Sequence, residues 1–216
     1  MGTAEQQPPR VTMTRAARRI LEAAERLFYE RGIHAVGVDL IAAEAGVTKK
    51  TLYDRFGSKE RIVVEYLAGR DERWRAFLAQ YLDDHLDAAH ATPRARVLAV
   101  FDASRAWSAE YGSKGCSMVN AHAEISDPAH PAYSVIAGQK EWMLALFTRL
   151  ARDITPDGAD GADEADRMGR TLMLLHEGAL VAHGLNTFPD PIAHARDLAA
   201  ALLPVPALLP VPDKQP

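Results

Sequence analysis

Between Val38 and Glu60 the chain reads VDLIAAEAGVTKKTLYDRFGSKE, and its side chains suit the recognition of phosphates and base edges rather than bond making. Thr48, Lys49, Lys50 and Thr51 are four consecutive polar residues at the start of a helix expected over Lys49–Phe56. At a helix N-terminus the backbone N–H groups lack intrahelical partners, so phosphate can be met there by main chain and side chain together. Arg55 adds a further cation, while Leu52, Tyr53 and Phe56 recur at helical spacing. A preceding helix is expected over Asp39–Ala45, with Leu40, Ile41 and Ala45 on its apolar face. Gly46 sits where the chain must turn without a Cβ, Val47 points back inward, and Thr48 is a suitable N-cap. A short helix, a glycine turn and a second short helix make a helix-turn-helix, whose second helix enters the major groove of DNA N-terminus first. Arg10, Arg15, Arg18 and Arg19 cluster just upstream, where an N-terminal arm meets the first helix, and can reach DNA backbone or minor groove.

Other chemistries find less support. His122, Glu124, His176, Glu177 and His183 invite a metal, but their spacing matches no tight ligand pair, and the expected metal set is empty. Asp153 to Glu164 spans twelve positions with Gly158 sixth and a Glu last, as in a calcium loop. Thr155 and Asp160 break that pattern and no paired loop exists, so an acidic loop capping a helix is the better account. Cys116, the single cysteine, follows Gly115 before a short helix, and without a resolving partner it reads as a small buried residue rather than a redox sensor. No nucleophile elbow, Gly-rich phosphate loop or zinc-protease helix is present, so neither enzymatic activity nor a cofactor is expected.

The formal net charge of −4 would argue against a nucleic-acid partner were it uniform along the chain. Residues 10–61 hold 11 Lys/Arg against 7 Asp/Glu, whereas the remainder holds 14 against 22. A basic end on an acidic body orients that end toward phosphate. A hydrophobic share of 48% over 216 residues supports a buried core, and no apolar run approaches the roughly 20 residues that span a bilayer. The polar opening MGTAEQQPPR and the lone cysteine lead to an expectation of cytoplasmic localisation.

Helical periodicity organises the rest, and no strand pattern competes with it, so the expected fold is all-α with about nine helices. A first helix runs from about Thr14 to Arg31 and stops at Gly32; Ser58 caps a long fourth helix reaching about His85. Thr92-Pro93 opens a fifth to about Glu110, and a short helix follows over Ser117–Ile125. Longer helices are expected over Ala132–Asp153 and Asp163–Leu185, separated by a loop at Thr155–Ala162, and Pro191–Leu203 closes the set. The tail LLPVPALLPVP is a proline-rich tandem repeat suited to polyproline II, either free or laid on an apolar groove. The organisation expected is a flexible arm at 1–12, a helix-turn-helix domain at 13–57, a regulatory bundle at 58–203 and the proline-rich tail at 204–216.

ILEAAERLFYERG, LIAAEAGVTKKTLYDRF and SKERIVVEYL, in that order over Arg19–Leu67, resemble the DNA-binding domain of the TetR/AcrR family of bacterial transcriptional regulators. The chain departs from the family pattern in two respects: Val36 and Gly37 stand where Thr or Ser is usual, leaving Gly37 or Asp39 to cap the second helix, and Arg55 replaces an aromatic or His. The resemblance implies backbone contacts for Tyr53 and Lys59, which joins Arg18, Thr48, Lys49, Lys50, Thr51 and Arg55 in the expected DNA-binding set. It further implies a homodimer on a near-palindromic double-stranded operator, released by a small effector, most simply as a repressor. Trp107, Met118, His122, Trp142, Met143, Phe147, Met173 and His176 are the effector-site candidates, and their Trp and Met content suits a lipophilic or aromatic ligand. Gly178, Ala179, Ala182 and Gly184 are the candidates for close helix approach in the dimer. The competing reading is a small-molecule-binding dimer, or an enzyme, with a vestigial helix-turn-helix.

Overall fold

The computed structural model describes residues 10–87, 91–112, 114–125, 127–155 and 158–204. Among these residues there are nine α-helices and no strand: α1 Arg15–Arg31, α2 Val38–Glu44, α3 Lys49–Phe56, α4 Lys59–His85, α5 Pro93–Tyr111, α6 Ser117–Glu124, α7 Tyr133–Arg152, α8 Ala159–Leu185 and α9 Pro191–Leu202. No described helix is long and apolar enough to cross a membrane.

Hydroxyl caps fix four of the starts. Thr14, Thr48, Ser58 and Thr92 each accept the N–H three residues on, at 3.1–3.2 Å, satisfying donors that a helix leaves orphaned. Gly32, Gly46 and Gly57, with φ of +88°, +61° and +75°, end the first three segments where an L side chain would be strained. Thr48→Ala is expected to cost about 1 kcal/mol of stability, readable as a lower urea midpoint with unchanged m-value.

Two apolar clusters hold the helices together. The first joins Ile20, Leu27 and Phe28 of α1, Ile41, Leu52 and Phe56 of the helix-turn-helix, and Ile62, Val63 and Leu67 of α4. It also takes in Met118 and Ala121 of α6 and Val135 and Ile136 of α7, so the basic end shares its core with the middle of the chain. The second packs Trp74 and Leu78 of α4 against Phe101, Met143, Phe147, Leu172 and Ile192 from α5, α7, α8 and α9. Because α4 lies 27 residues long across both, neither cluster can rearrange without it.

Several boundaries differ from those read in the sequence. α8 begins at Ala159 rather than Asp163, so half of the acidic loop, including Glu164, is helix and cannot wrap an ion as a calcium loop does. Asp157, like the arm at 1–9 and the tail beyond Pro204, lies outside the described residues. Arg10 to Thr12 are anchored rather than loose, as Arg10 Nε donates to Glu65 at 2.6 Å, Arg10 also pairs with Glu72, and the Val11 N–H donates to Glu65 at 2.9 Å. Glu65 is fully buried; burial alone would raise its pKa, but the Val11 N–H and the guanidinium groups of Arg10 and Arg61 outweigh this and hold it below the usual carboxylate range. At the head of α2 the capping position is Gly37, which offers no side chain, and Asp39 sits in the first turn.

Candidate DNA-reading face and effector pocket

Leu52 and Phe56 bury one side of α3 and so force its other side outward. Thr48, Lys49, Lys50, Tyr53, Asp54 and Arg55 are all exposed, Tyr53 at 42% despite its helical spacing with the core residues. Thr48 and Thr51 hydroxyls lie 2.9 Å apart at the cap. Lys49 bonds Asp39 at 3.0 Å, which raises the lysine pKa, and Lys50 bonds Asp54 at 2.8 Å. Exposed pairs of this kind contribute little and exchange readily for phosphate. Arg18 is exposed on α1, and Arg19 reaches the Gly46 carbonyl at 3.4 Å, tying α1 to the turn. Lys59 behaves differently. Its ammonium donates to the Ile33 carbonyl at 2.6 Å and lies 6.0 Å from the Phe28 ring centroid, which accounts for a cation at an unfavourable helix end.

Several contacts join the basic end to the rest. Glu124 of α6 accepts the N–H groups of Ile33 at 2.8 Å and His34 at 2.7 Å. Burial would raise its pKa, yet these two donors prevail and keep it low. The Tyr29 hydroxyl accepts from Lys114 N at 3.0 Å and donates to Gly115 O at 3.2 Å. Arg70 of α4 stacks its guanidinium 4.4 Å from the Tyr29 ring and 5.7 Å from that of Trp107.

Arg70 and Trp107 also line an inner cavity of about 60 Å³ between α4, α5, α6, α7 and α8. Of the eight effector-site candidates, Trp107, Met118 and His176 reach it. Met118, His122 and Met173 line a neighbouring groove of about 420 Å³ that shares Met118, Lys140 and Glu177 with it. Trp142, Met143 and Phe147 line neither. Trp142 lies under Arg75 at 4.4 Å, Met143 accepts the Trp74 indole N–H at 3.4 Å, and Phe147 is buried edge-on to His176.

Sequence reading passed over most of the polar wall. Lys140 donates to Glu177 at 2.7 Å and to Cys116 Sγ at 3.1 Å. Burial would depress the lysine, but Cys116 and Glu177 raise it; burial likewise opposes ionisation of Glu177, but His176 and Lys140 draw it down to about 2. Both shifts keep the pair charged. The signal for Arg70 and Lys140 was present as interruptions: Arg70 falls in phase between Leu67 and Trp74, and Lys140 between Ile136 and Met143, on otherwise apolar stripes.

The four small residues of α8 divide. Gly178 is exposed with open space around it, and Ala182 is partly exposed. Ala179 packs inward at 6% exposure, and Gly184 abuts the chain's own loop, where a Cβ would meet Lys114 O at 2.8 Å. Around Gly178 and Ala182, α8 and α9 expose Leu174, Val181, Leu185, Leu198 and Leu202.

A helix-turn-helix with an exposed basic second helix, bonded to an all-helical body, defines a DNA-binding transcriptional regulator. The sequence profile of the bacterial regulatory proteins of the tetR family matches residues 20–66. The crystal structure of SCO4454, a TetR-family transcriptional regulator from Streptomyces coelicolor, is 32% identical and superposes with a TM-score of 0.73 over 86% of this chain and 94% of that one. The transcriptional activator FasR of Mycolicibacterium smegmatis is 31% identical over 62% of this chain, and the Escherichia coli repressor NemR 28% over 60%. The match spans less than two thirds of each of these relatives, 58% and 64% respectively. The chain belongs to the TetR family of transcriptional regulators.

Proposed function

We propose that this protein is a homodimeric repressor that leaves its operator when a small effector fills the pocket between α4 and α8. The outward cluster on α3 carries the reading: Lys49, Lys50, Tyr53 and Arg55 are exposed on a short helix whose other face is locked in the core. With Thr48 and Thr51 at its N-terminus, Arg18 on α1 and Lys59 beside it, this face meets major-groove edges and flanking phosphates. Residues 13–57 form the DNA-reading unit and 58–203 the regulatory one. α8 and α9 form the dimer contact, since their exposed leucines make an apolar surface that a second copy would cover. Gly178 and Ala182 allow close approach there, whereas Ala179 and Gly184 support it from within. Repression needs only occupancy and release, and so no further surface. The similar proteins FasR and NemR are named activator and repressor, so the sign of regulation is open to direct test.

Release follows from geometry. Arg70 touches both Trp107 in the pocket and Tyr29 on α1, and Tyr29 in turn holds the loop at Lys114 and Gly115. An occupant that repositions Arg70 shifts α4 against α1 and changes the distance between the two recognition helices.

A gel shift on the chain's own upstream DNA tests the reading. Lys49→Ala and Lys50→Ala are each expected to weaken binding roughly 5- to 100-fold, and wild-type affinity is expected to fall steeply with salt. Binding that both substitutions left untouched would place the DNA on a different surface.

A further inference from the structure

The inner cavity has an unbalanced charge. Arg70 is only 8% exposed, and its one recorded hydrogen bond goes from Nη2 to the Tyr111 carbonyl at 3.3 Å. A guanidinium carries five N–H donors, and among the described residues no carboxylate pairs with this one. The other charges on the wall are already neutralised. Lys140 is matched by Glu177, and Asp71 by Arg75 at 2.7 Å. Stacking on Tyr29 and Trp107 compensates Arg70 in part, but a buried cation without a counter-ion remains costly.

The same cavity contains an acceptor without a donor. Gln139 Oε1 has no hydrogen-bond partner, on a residue that is 7% exposed. His176 Nε2 lies 2.8 Å from the Ser104 hydroxyl, and its Nδ1 faces Glu177 Oε1 at 3.4 Å, so those two atoms answer each other. Trp74, Trp107 and Met118 supply the apolar remainder.

We propose that this cavity binds a compact hydroxy acid, its carboxylate received by Arg70 and its hydroxyl donated to Gln139 Oε1. A carboxylate matches the guanidinium fork in two parallel bonds. A simple fatty acid would leave Gln139 Oε1 unsatisfied, and an alcohol or amide would leave Arg70 unneutralised. Size selects within the class. About 60 Å³ is well below the roughly 150 Å³ that holds a benzene ring, so the whole ligand is smaller than benzene, as a two-carbon hydroxy acid is. This proposal deepens the effector reading and rests on it.

Isothermal titration of the full-length protein at constant ionic strength tests it with three probes: glycolate, acetate and glycolamide. The hydroxy acid is expected to bind at least tenfold more tightly than either of the others, and Arg70→Gln to remove that preference. Equal affinity for the amide would overturn the carboxylate assignment, and equal affinity for acetate the hydroxyl assignment, with the pocket reading intact in both cases. Failure of all three probes to bind would remove the proposal, whereas the gel shift reads DNA binding independently. Should Arg70→Gln not fold by circular dichroism, the wild-type ranking of the three probes decides alone. A preference that survived in a folded Arg70→Gln protein would place the ligand outside this cavity and overturn the assignment.

Discussion

Lys140→Met is expected to lower the free energy of unfolding by about 3 kcal/mol at neutral pH. Methionine keeps the aliphatic reach of lysine, so the cost comes from charge rather than volume. It leaves Glu177 beside His176 on a wall where the glutamate side chain is only 21% exposed. The direction is clear because the loss is that of one partner. Removing both is a different perturbation, and Lys140→Met/Glu177→Leu is expected to recover most of the deficit, since well-packed apolar pairs often replace buried ion pairs at little cost. The pH profile gives an independent signature. Glu177 has a folded pKa of about 2 against an ordinary value near 4.5, so its contribution is present in full above about 4.5 and is lost as pH falls toward 2. Lys140 is raised, so its contribution is present below its ordinary value and is lost as pH climbs through the raised one. The wild type is therefore expected to hold a stability plateau between these limits, and Lys140→Met to lose the acid limb of that difference. Urea midpoints at pH 3, 5 and 7 measure it, and a wild-type to variant gap that did not shrink at pH 3 would show that Glu177 is not the group left uncompensated.

The elements of the basic end were legible because local signals there agree. Thr14, Thr48 and Ser58 cap where their types predict, Gly32, Gly46 and Gly57 turn where a positive φ is needed, and α3 and α4 begin and end as their periodicity indicates. α8 was read four residues short because Asp160 and Gly161 look like a loop, whereas the helix begins at Ala159 and holds Asp160 in its first turn, where a negative charge suits the helix dipole. The pocket was legible only in part. Trp107, Met118 and His176 have types that suggest a binding wall, whereas Arg70 and Lys140 sit on helices whose apolar phase gives no sign of which neighbours they face. That information is long-range: Arg70 meets residues 41 positions earlier and 41 later. Gly184 shows the same limit. A glycine on an apolar helix suggests approach by another helix, and only the fold reveals that the approaching backbone is the chain's own Lys114–Gly115 loop.

That close approach sets the second large effect. Gly115→Ala is expected to cost about 3 kcal/mol, from two sources that other glycines separate. One is strain, since Gly115 has φ +72°, where an alanine costs about 1 kcal/mol. Gly57 has nearly the same φ, +75°, with open space around it, so Gly57→Ala is expected to show a strain cost without overlap. The other is overlap. A Cβ at Gly115 would lie 2.5 Å from the Leu180 carbonyl oxygen and 3.3 Å from Gly184 Cα, both backbone atoms of α8 that cannot rotate aside. Gly184→Ala probes the same contact from the helix side, where a Cβ would meet Lys114 O at 2.8 Å. Alanine favours a helix over glycine by about 1 kcal/mol, so a destabilised Gly184→Ala would show the overlap outweighing propensity. Gly138 of α7, with nothing within 4 Å, supplies the opposite control and is expected to gain stability on the same change. Because α8 is fixed, the Gly115→Ala loop must lift, and it carries both hydrogen-bond partners of Tyr29 with it. Gly115→Ala is therefore expected to weaken operator binding although α3 is untouched, while Gly57→Ala serves to report whatever strain alone does beside α3. Urea unfolding and a gel shift on the same four variants separate these effects, and a Gly115→Ala protein no less stable than Gly57→Ala would show that the loop does not bear on α8.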